Sequence, residues 1–372
     1  MPGKCLKDLF IESALVHSEK TAITFFRGSS VETEVSYLEL HQDSNRMAAL
    51  FLDMGVQKGD RVILFLEKSL VFVVAHIALQ KIGAISVPLN PGFKKFEMSY
   101  FINDAGAKLI FAGKKQQQIV RETAPRLPTI SVNTEVPYQA LDFFRSFSDM
   151  LTEIEVGPQD PGLIVYTSGT TGRPKGAILT QKNLVHDAIN IIDIWEISDS
   201  DVLCHALPLF HVHGICFALH TSLMAGAHVL MIDRFSPDRV IERLTEKEGK
   251  YVATIFMAVP PMYVRLLEYI GHRKMDFHHL RLLTSGSAPL LPKDFERIRE
   301  TFGKEPVERE GMSETGMNFS NPVRGIRKPG SIGTPLPHRR GPSGVRTGAT
   351  PCLLYTSPSP RDLSTSRMPS SA

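Results

Sequence analysis

The run Tyr166-Thr167-Ser168-Gly169-Thr170-Thr171-Gly172-Arg173-Pro174-Lys175-Gly176 puts three glycines, four aliphatic hydroxyls and two cations into eleven residues. Glycines let the backbone turn its N–H groups toward an anion with no side chain in the way. The hydroxyls add donors, and Lys175 adds a full charge. On physical grounds this is a phosphate-cradling loop, predicted to follow a strand and to precede a helix. It is not a Walker A loop, because Pro174 precedes Lys175 and Gly176 follows it, where Gly-Lys-Ser or Gly-Lys-Thr would be required. The plainer alternative is a hydroxyl-rich turn.

A second candidate is His211-Val212-His213, an H-x-H pair able to present two imidazoles on one face. Zinc would need further ligands, and His205 and His220 form no recognised set with them. A packing role for His213 is the alternative.

The string 167–176 resembles the signature loop of the acyl-adenylate-forming superfamily, which includes acyl-CoA synthetases, luciferases and the adenylation domains of peptide synthetases. Leu207-Pro208-Leu209-Phe210-His211-Val212-His213-Gly214 is similar to its second core motif. Gly311-Met312-Ser313-Glu314-Thr315-Gly316 is similar to the motif that supplies a metal-binding glutamate. Thr284-Ser285-Gly286-Ser287-Ala288-Pro289-Leu290 stands where that family lines its nucleotide and acyl pockets. Val35-Ser36-Tyr37-Leu38-Glu39-Leu40 and Lys58-Gly59-Asp60-Arg61-Val62 also match, so the resemblance covers about residues 8–337.

The resemblance implies an ATP-dependent carboxylate–CoA ligase using ATP, Mg²⁺ and coenzyme A. Thr167, Ser168, Gly169, Thr170, Thr171, Gly172 and Lys175 would hold the β- and γ-phosphates. Glu314 would bind Mg²⁺ and Ser313 would contact the α-phosphate. Ser287, Ala288, Pro289, Gly311 and Met312 would complete the nucleotide pocket. His211 would gate the substrate carboxylate, and Ser285 would line the acid's site. The chemistry explains the need: a carboxylate is a poor acyl donor until joined to AMP, and that step gathers negative charge which fixed cations and donors stabilise. The coenzyme A thiol, partly ionised near neutrality, then attacks.

Met317-Asn318-Phe319-Ser320-Asn321-Pro322, followed by Arg327, resembles malonate–CoA ligases, in which an arginine at this place pairs with the distal carboxylate. A solvated basic loop of Arg324, Arg327 and Lys328 is the alternative. The string 329–333 is shared with fatty-acid–CoA ligases, so malonate and a fatty acid both stand as expected substrates. Glu310 departs from the aromatic residue that many members use to stack on adenine, and a tyrosine there is expected to tighten ATP binding. Two other readings compete: an amino-acid adenylation domain, disfavoured because Phe210-His211-Val212-His213 offers no acid for an ammonium, and a non-catalytic nucleotide-binding fragment.

The positioning elements follow from apolar patterning. Residues 62–66, 85–89 and 108–112 read as strands, with helices over 70–81, closed by Gly83, and 96–105. After Pro161 come strands at 163–166, 228–232, 253–257 and 280–284, and helices over 181–192 and 292–302, the last opened by proline. This alternation predicts an α/β fold with parallel sheets covered by helices. With the resemblance it becomes two stacked, helix-covered β-sheets of the N-terminal domain of acyl-CoA synthetases, the C-terminal lid domain absent. Residues 1–157 are expected to form a first subdomain and 158–337 a second with the nucleotide site. Between about 116 and 157 the pattern weakens around Pro125, Pro128 and Pro137, which reads as a connection. Residues 338–372, rich in Arg, Ser and Pro, read as non-native translated sequence or a disordered tail. Without the lid, the chain is expected to bind ATP weakly and turn over poorly.

Composition bounds the rest. With 42 Lys+Arg against 39 Asp+Glu, the chain lacks the basic excess of a nucleic-acid binder. No apolar run approaches the ~18 residues of a membrane span. The four cysteines, with no C-x-x-C among them, fit reduced thiols in a cytoplasm. The expected partners are small molecules.

Overall fold

The computed structural model describes residues 3–167 and 173–336. The expected tail at 338–372 lies outside them. Among the described residues the strands are β1 (Thr21–Arg27), β2 (Ser30–Ser36), β3 (Arg61–Phe65), β4 (Ile85–Pro88), β5 (Leu109–Gly113), β6 (Thr129–Val132), β7 (Pro161–Thr167), β8 (Lys175–Thr180), β9 (Val202–His205), β10 (His228–Ile232), β11 (Ile255–Ala258), β12 (Leu282–Ser285), β13 (Val307–Met312), β14 (Gly316–Ser320) and β15 (Thr334–Pro335). They form a smaller sheet in the order β6-β5-β3-β4-β7-β8 and a larger one in the order β15-β14-β13-β12-β11-β9-β10-β1-β2. The smaller sheet is parallel up to β7, where β8 turns back antiparallel. The larger is parallel in its interior and antiparallel at both margins.

Short apolar strands buried on both faces explain the smaller sheet. Val62, Leu64, Leu109 and Phe111 point into the main core. Their neighbours Ile63, Phe65, Ile110 and Ala112 point the other way, onto Met98 and Phe101 of the helix Lys95–Ala105. The helix Leu70–Lys81 spans the predicted residues and is buried along its whole length, as its all-round apolar sequence requires. Its His76 stacks on His220, ring centroids 5.0 Å apart, which ties it to the segment His213–His220.

Two expectations are corrected. A boundary at 157 does not divide the sheets: β1 and β2 lie in the larger sheet, and β7 and β8 in the smaller, so each sheet takes strands from both sides of it. Residues 116–157 are more than a connection. They hold the helix Gln117–Thr123 and the edge strand β6, whose half-exposed residues hide its pattern. They are pinned by Tyr138, whose hydroxyl donates to Asp43 Oδ2 at 2.5 Å. No helix among the described residues is long and apolar enough to cross a membrane.

Candidate active site

The glycine-rich run lies across a β-hairpin. Thr167 ends β7, Lys175 begins β8, and the two are Cα partners. Ser168, Gly169, Thr170, Thr171 and Gly172 lie outside the described residues. The expected strand–loop–helix order is corrected here: residues 177–180 of β8 separate the run from the helix Gln181–Trp195, a span of about 13 Å. That helix's N-terminus is capped by Thr180, whose hydroxyl accepts from the Asn183 N–H at 3.3 Å. A phosphate at the run would therefore be held by the hairpin's own donors and the exposed Lys175, without this helix dipole. The hairpin is anchored at its base. Tyr166 donates to Asp104 Oδ2 at 2.7 Å, and Tyr100 donates to the Pro174 carbonyl at 2.7 Å. Gly176 passes the Tyr166 ring so closely that a Cβ would sit 3.4 Å from it and 3.0 Å from Ile164.

A second hairpin, β13–β14, carries Ser313, Glu314 and Thr315 at its tip, between the paired Met312 and Gly316. Close pairing requires Gly311, where a Cβ would stand 2.6 Å from the Gly316 carbonyl oxygen. Gly316 adopts φ +74°, as the turn demands. Asp187, on the helix Gln181–Trp195, secures the hairpin's return by accepting the Met317 N–H at 2.9 Å. Desolvation raises the Asp187 carboxyl to about 6, against the opposing pull of that N–H and of Arg309. At the tip, Glu314 Oε1 accepts the Thr167 hydroxyl at 3.0 Å, so the two hairpins meet. Glu310 is occupied by Asn318 Nδ2 at 3.1 Å.

A third group faces the segment after β12. Ser287 has φ +66°, strained for a residue with a Cβ, and its hydroxyl lies 3.4 Å from His213 Nδ1 and 3.3 Å from the Arg309 guanidinium that donates to it. Ala288 and Pro289 are exposed beside it. Arg309 is buried, its guanidinium 4.9 Å from the Phe217 ring centroid and packed against Gly286. Burial pulls it down to about 10, opposed by Asp187 and Glu310. Arg309 Nε, His213 Nε2, Ser285 Oγ and Thr284 Oγ1 are all buried and have no hydrogen-bond partner among the described residues. Burial first, then Arg309, pushes the His213 imidazole well below its usual range. His211 is exposed, its ring 4.5 Å from that of Phe210. The metal alternative for His211 and His213 finds no set of three ligands among the described residues.

The structure thus joins Thr167 to Glu314, and Ser287 to His213. It does not bring Arg327 to either group. Arg327 donates from Nε to the Pro322 carbonyl at 2.9 Å and from its other nitrogens to the carbonyls of Glu305 and Val323. Its guanidinium braces a loop, away from both groups. Arg309 and Asp187 were missed because charged residues are assumed to face solvent. The signal available was Arg309's place in a segment that begins with apolar Val307 immediately after Pro306.

A family model described as "AMP-binding enzyme" matches residues 10–340. The mitochondrial malonate–CoA ligase of Mus musculus is 35% identical over 321 residues, covering 81% of this chain and 54% of that protein. An oxalate–CoA ligase of Arabidopsis thaliana is 33% identical over 315 residues, covering 81% and 60%. The crystal structure of ATP-bound MatB from Rhodopseudomonas palustris superposes with a TM-score of 0.81 at 33% identity, covering 89% of this chain and 65% of that one. The chain spans about half the length of the curated relatives it matches.

Proposed function

The chain belongs to the AMP-binding enzyme family, and from that premise we propose that its paired hairpins form the nucleotide site of an ATP-dependent carboxylate–CoA ligase acting on a small dicarboxylic acid such as malonate. The observation that carries the reaction type is the Thr167–Glu314 hydrogen bond, which sets a carboxylate at the mouth of the phosphate hairpin. The acid's carboxylate oxygen attacks the α-phosphorus of ATP, giving acyl-AMP and releasing pyrophosphate. The coenzyme A thiolate then attacks the acyl carbon and AMP leaves. Thr167 and Lys175 orient the outer phosphates, Ser313 meets the α-phosphate, and His211 stands at the carboxylate's entrance.

The donor set suits Mg²⁺. Glu314 offers hard carboxylate oxygen, and among the described residues no group of three ligating side chains competes with phosphates and water for the remaining positions. Bound there, the ion would neutralise charge on the phosphate oxygens.

The substrate class rests on Arg309. A buried guanidinium whose Nε has no partner among the described residues, and which donates to a Ser287 hydroxyl 3.4 Å from His213 Nδ1, is costly unless a polar group completes it. A second carboxylate does so, with two oxygens for the guanidinium and the hydroxyl. An alkyl chain would leave that Nε bare, which weighs against a fatty acid. The relatives named for malonate and oxalate support the same class. The buried, unbridged thiols of Cys5, Cys204 and Cys216 suit a reducing compartment, with the cytoplasm as the proposed one.

The test is calorimetric titration of the chain with non-reactive sulfamoyl-adenosine analogues of malonyl-AMP, a long-chain acyl-AMP and an aminoacyl-AMP, with MgCl₂ present. The malonyl analogue is expected to bind at least about 10-fold more tightly than either other. Tighter binding of the long-chain or aminoacyl analogue overturns the substrate class.

A further inference from the structure

Lys68 lies just beyond β3 in the smaller sheet, yet its ammonium is spent on the larger one. Nζ donates to the His205 carbonyl at 2.8 Å and to His205 Nδ1 at 2.8 Å. His205 ends β9 and is buried. Burial first, and Lys68 second, push its imidazole down to about 3, so it is neutral and carries one ring proton. Nε2 lies 2.9 Å from the Gly214 carbonyl, which can only accept, so the one ring proton sits on Nε2 and Nδ1 accepts from Lys68 Nζ. The three groups therefore form a directed chain from lysine to imidazole to Gly214.

Gly214 closes the turn that displays His211 and His213. Its N–H, and that of Ile215, both donate to the His211 carbonyl at 3.0 Å. The turn is pressed so tightly on the preceding strand exit that a Cβ at Gly214 would lie 1.9 Å from the Pro208 carbonyl oxygen. The turn's orientation is therefore set by this close packing together with the bond from His205 Nε2 to the Gly214 carbonyl.

Lys68 makes no ion pair with a described carboxylate; Asp233 and Cys204 act on it only at a distance. Burial without a contacting counter-charge pulls the Lys68 amine down to about 7, so its charge contributes little to stability. Its geometry, in contrast, is specific.

We infer that Lys68 and His205 are positioning residues that set the two-histidine turn from across the sheet interface, and so govern how the acyl-adenylate's acyl end is held while leaving the polyphosphate hairpins alone. This rests on the proposed ligase reading for the identity of the ligand, but not for the hydrogen-bond chain itself. The hairpin residues Thr167, Lys175 and Glu314 share no hydrogen bond with the Lys68–His205–Gly214 chain.

Two measurements on the full chain test it. The first is ¹⁵N-histidine NMR of the unmutated protein. His205 is expected as a single Nε2–H tautomer that does not titrate between pH 6 and 8; an Nδ1–H tautomer, or a mixture, overturns the relay whatever the protein binds. The second is calorimetry with the malonyl sulfamoyl-adenosine probe and, separately, MgATP. Lys68→Met is expected to weaken the probe by about 10-fold and MgATP by less than about 2-fold, and Lys68→Arg, which can donate to both His205 acceptors, to restore the probe to within about 3-fold. Equal losses for both ligands, or none, overturn the positioning role. If the unmutated chain binds MgATP but not the probe, the substrate reading fails, and the NMR result alone then decides the relay.

Discussion

Thr167 and Glu314 are 147 residues apart in sequence, yet the threonine hydroxyl donates to the glutamate carboxylate at 3.0 Å. One ends a strand of the smaller sheet and the other tips a hairpin of the larger. Their contact fixes the distance between the group expected to hold outer phosphates and the group expected to hold their counter-ion.

Thr167→Val keeps the side chain's shape and removes the donor. Glu314 is exposed and Thr167 half-buried, so the fold should lose no more than about 1 kcal/mol. MgATP affinity should fall by about 10-fold, because Glu314 is then free to swing. Thermal melting and calorimetry on one preparation check both halves. Equal MgATP affinity would show that the hydrogen bond does not organise the site.

Gly311→Ala places a methyl 2.6 Å from the Gly316 carbonyl oxygen, a backbone atom that cannot rotate away. The β13–β14 pairing must open, at about 2–4 kcal/mol, and carry Glu314 away from Thr167. Urea unfolding should show the loss, with MgATP binding reduced further than in Thr167→Val.

Asp187 gives the protein a pH dependence with a defined sign. Its folded-state carboxyl is raised from 3.8 to about 6, so the folded chain binds the proton more tightly than the unfolded chain. Its contribution therefore falls as pH rises from about 4 to about 6 and stays low above that. Asp187→Asn keeps an acceptor for the Met317 N–H and cannot ionise. Relative to the parent, it should gain about 1–2 kcal/mol more at pH 8 than at pH 4, allowing for partial exposure. Denaturant midpoints at the two pH values check it; a larger gain at pH 4 would reverse the assignment.

Arg309 and Arg327 should separate cleanly. Arg309→Met is expected to weaken the malonyl sulfamoyl-adenosine probe by about 100-fold while changing MgATP affinity little. Arg327→Met should lower the melting temperature, because three loop carbonyls lose their donor, and leave probe affinity within about 2-fold.

Much of the scaffold was legible because burial on all sides leaves an unbroken apolar record. Leu70–Lys81, His228–Ile232 and Pro292–Phe302 have the bounds expected from sequence. Lys175–Thr180 was not read as a strand because an edge strand with an exposed outer face, including Ile178, needs no such record. Motif chemistry singled out Thr167 and Glu314, but only the folded chain shows them touching. Arg327 and Arg309 show the limit most plainly. Both are arginines in or near one motif, and only packing distinguishes the one that braces a loop from the one left with a free buried Nε.

The central claim is that the meeting hairpins grip a nucleotide to which a small dicarboxylic acid is joined. Calorimetric titration of the chain, with and without MgCl₂, against the malonyl sulfamoyl-adenosine probe tests it most directly. Saturable one-to-one binding that Arg309→Met weakens is expected, and ATP titrated in the same way should be weakened by Glu314→Gln only when Mg²⁺ is present, because the sulfamoyl probe carries no phosphate for the ion to neutralise. Absence of binding by the parent chain, or binding that neither substitution changes, would contradict it.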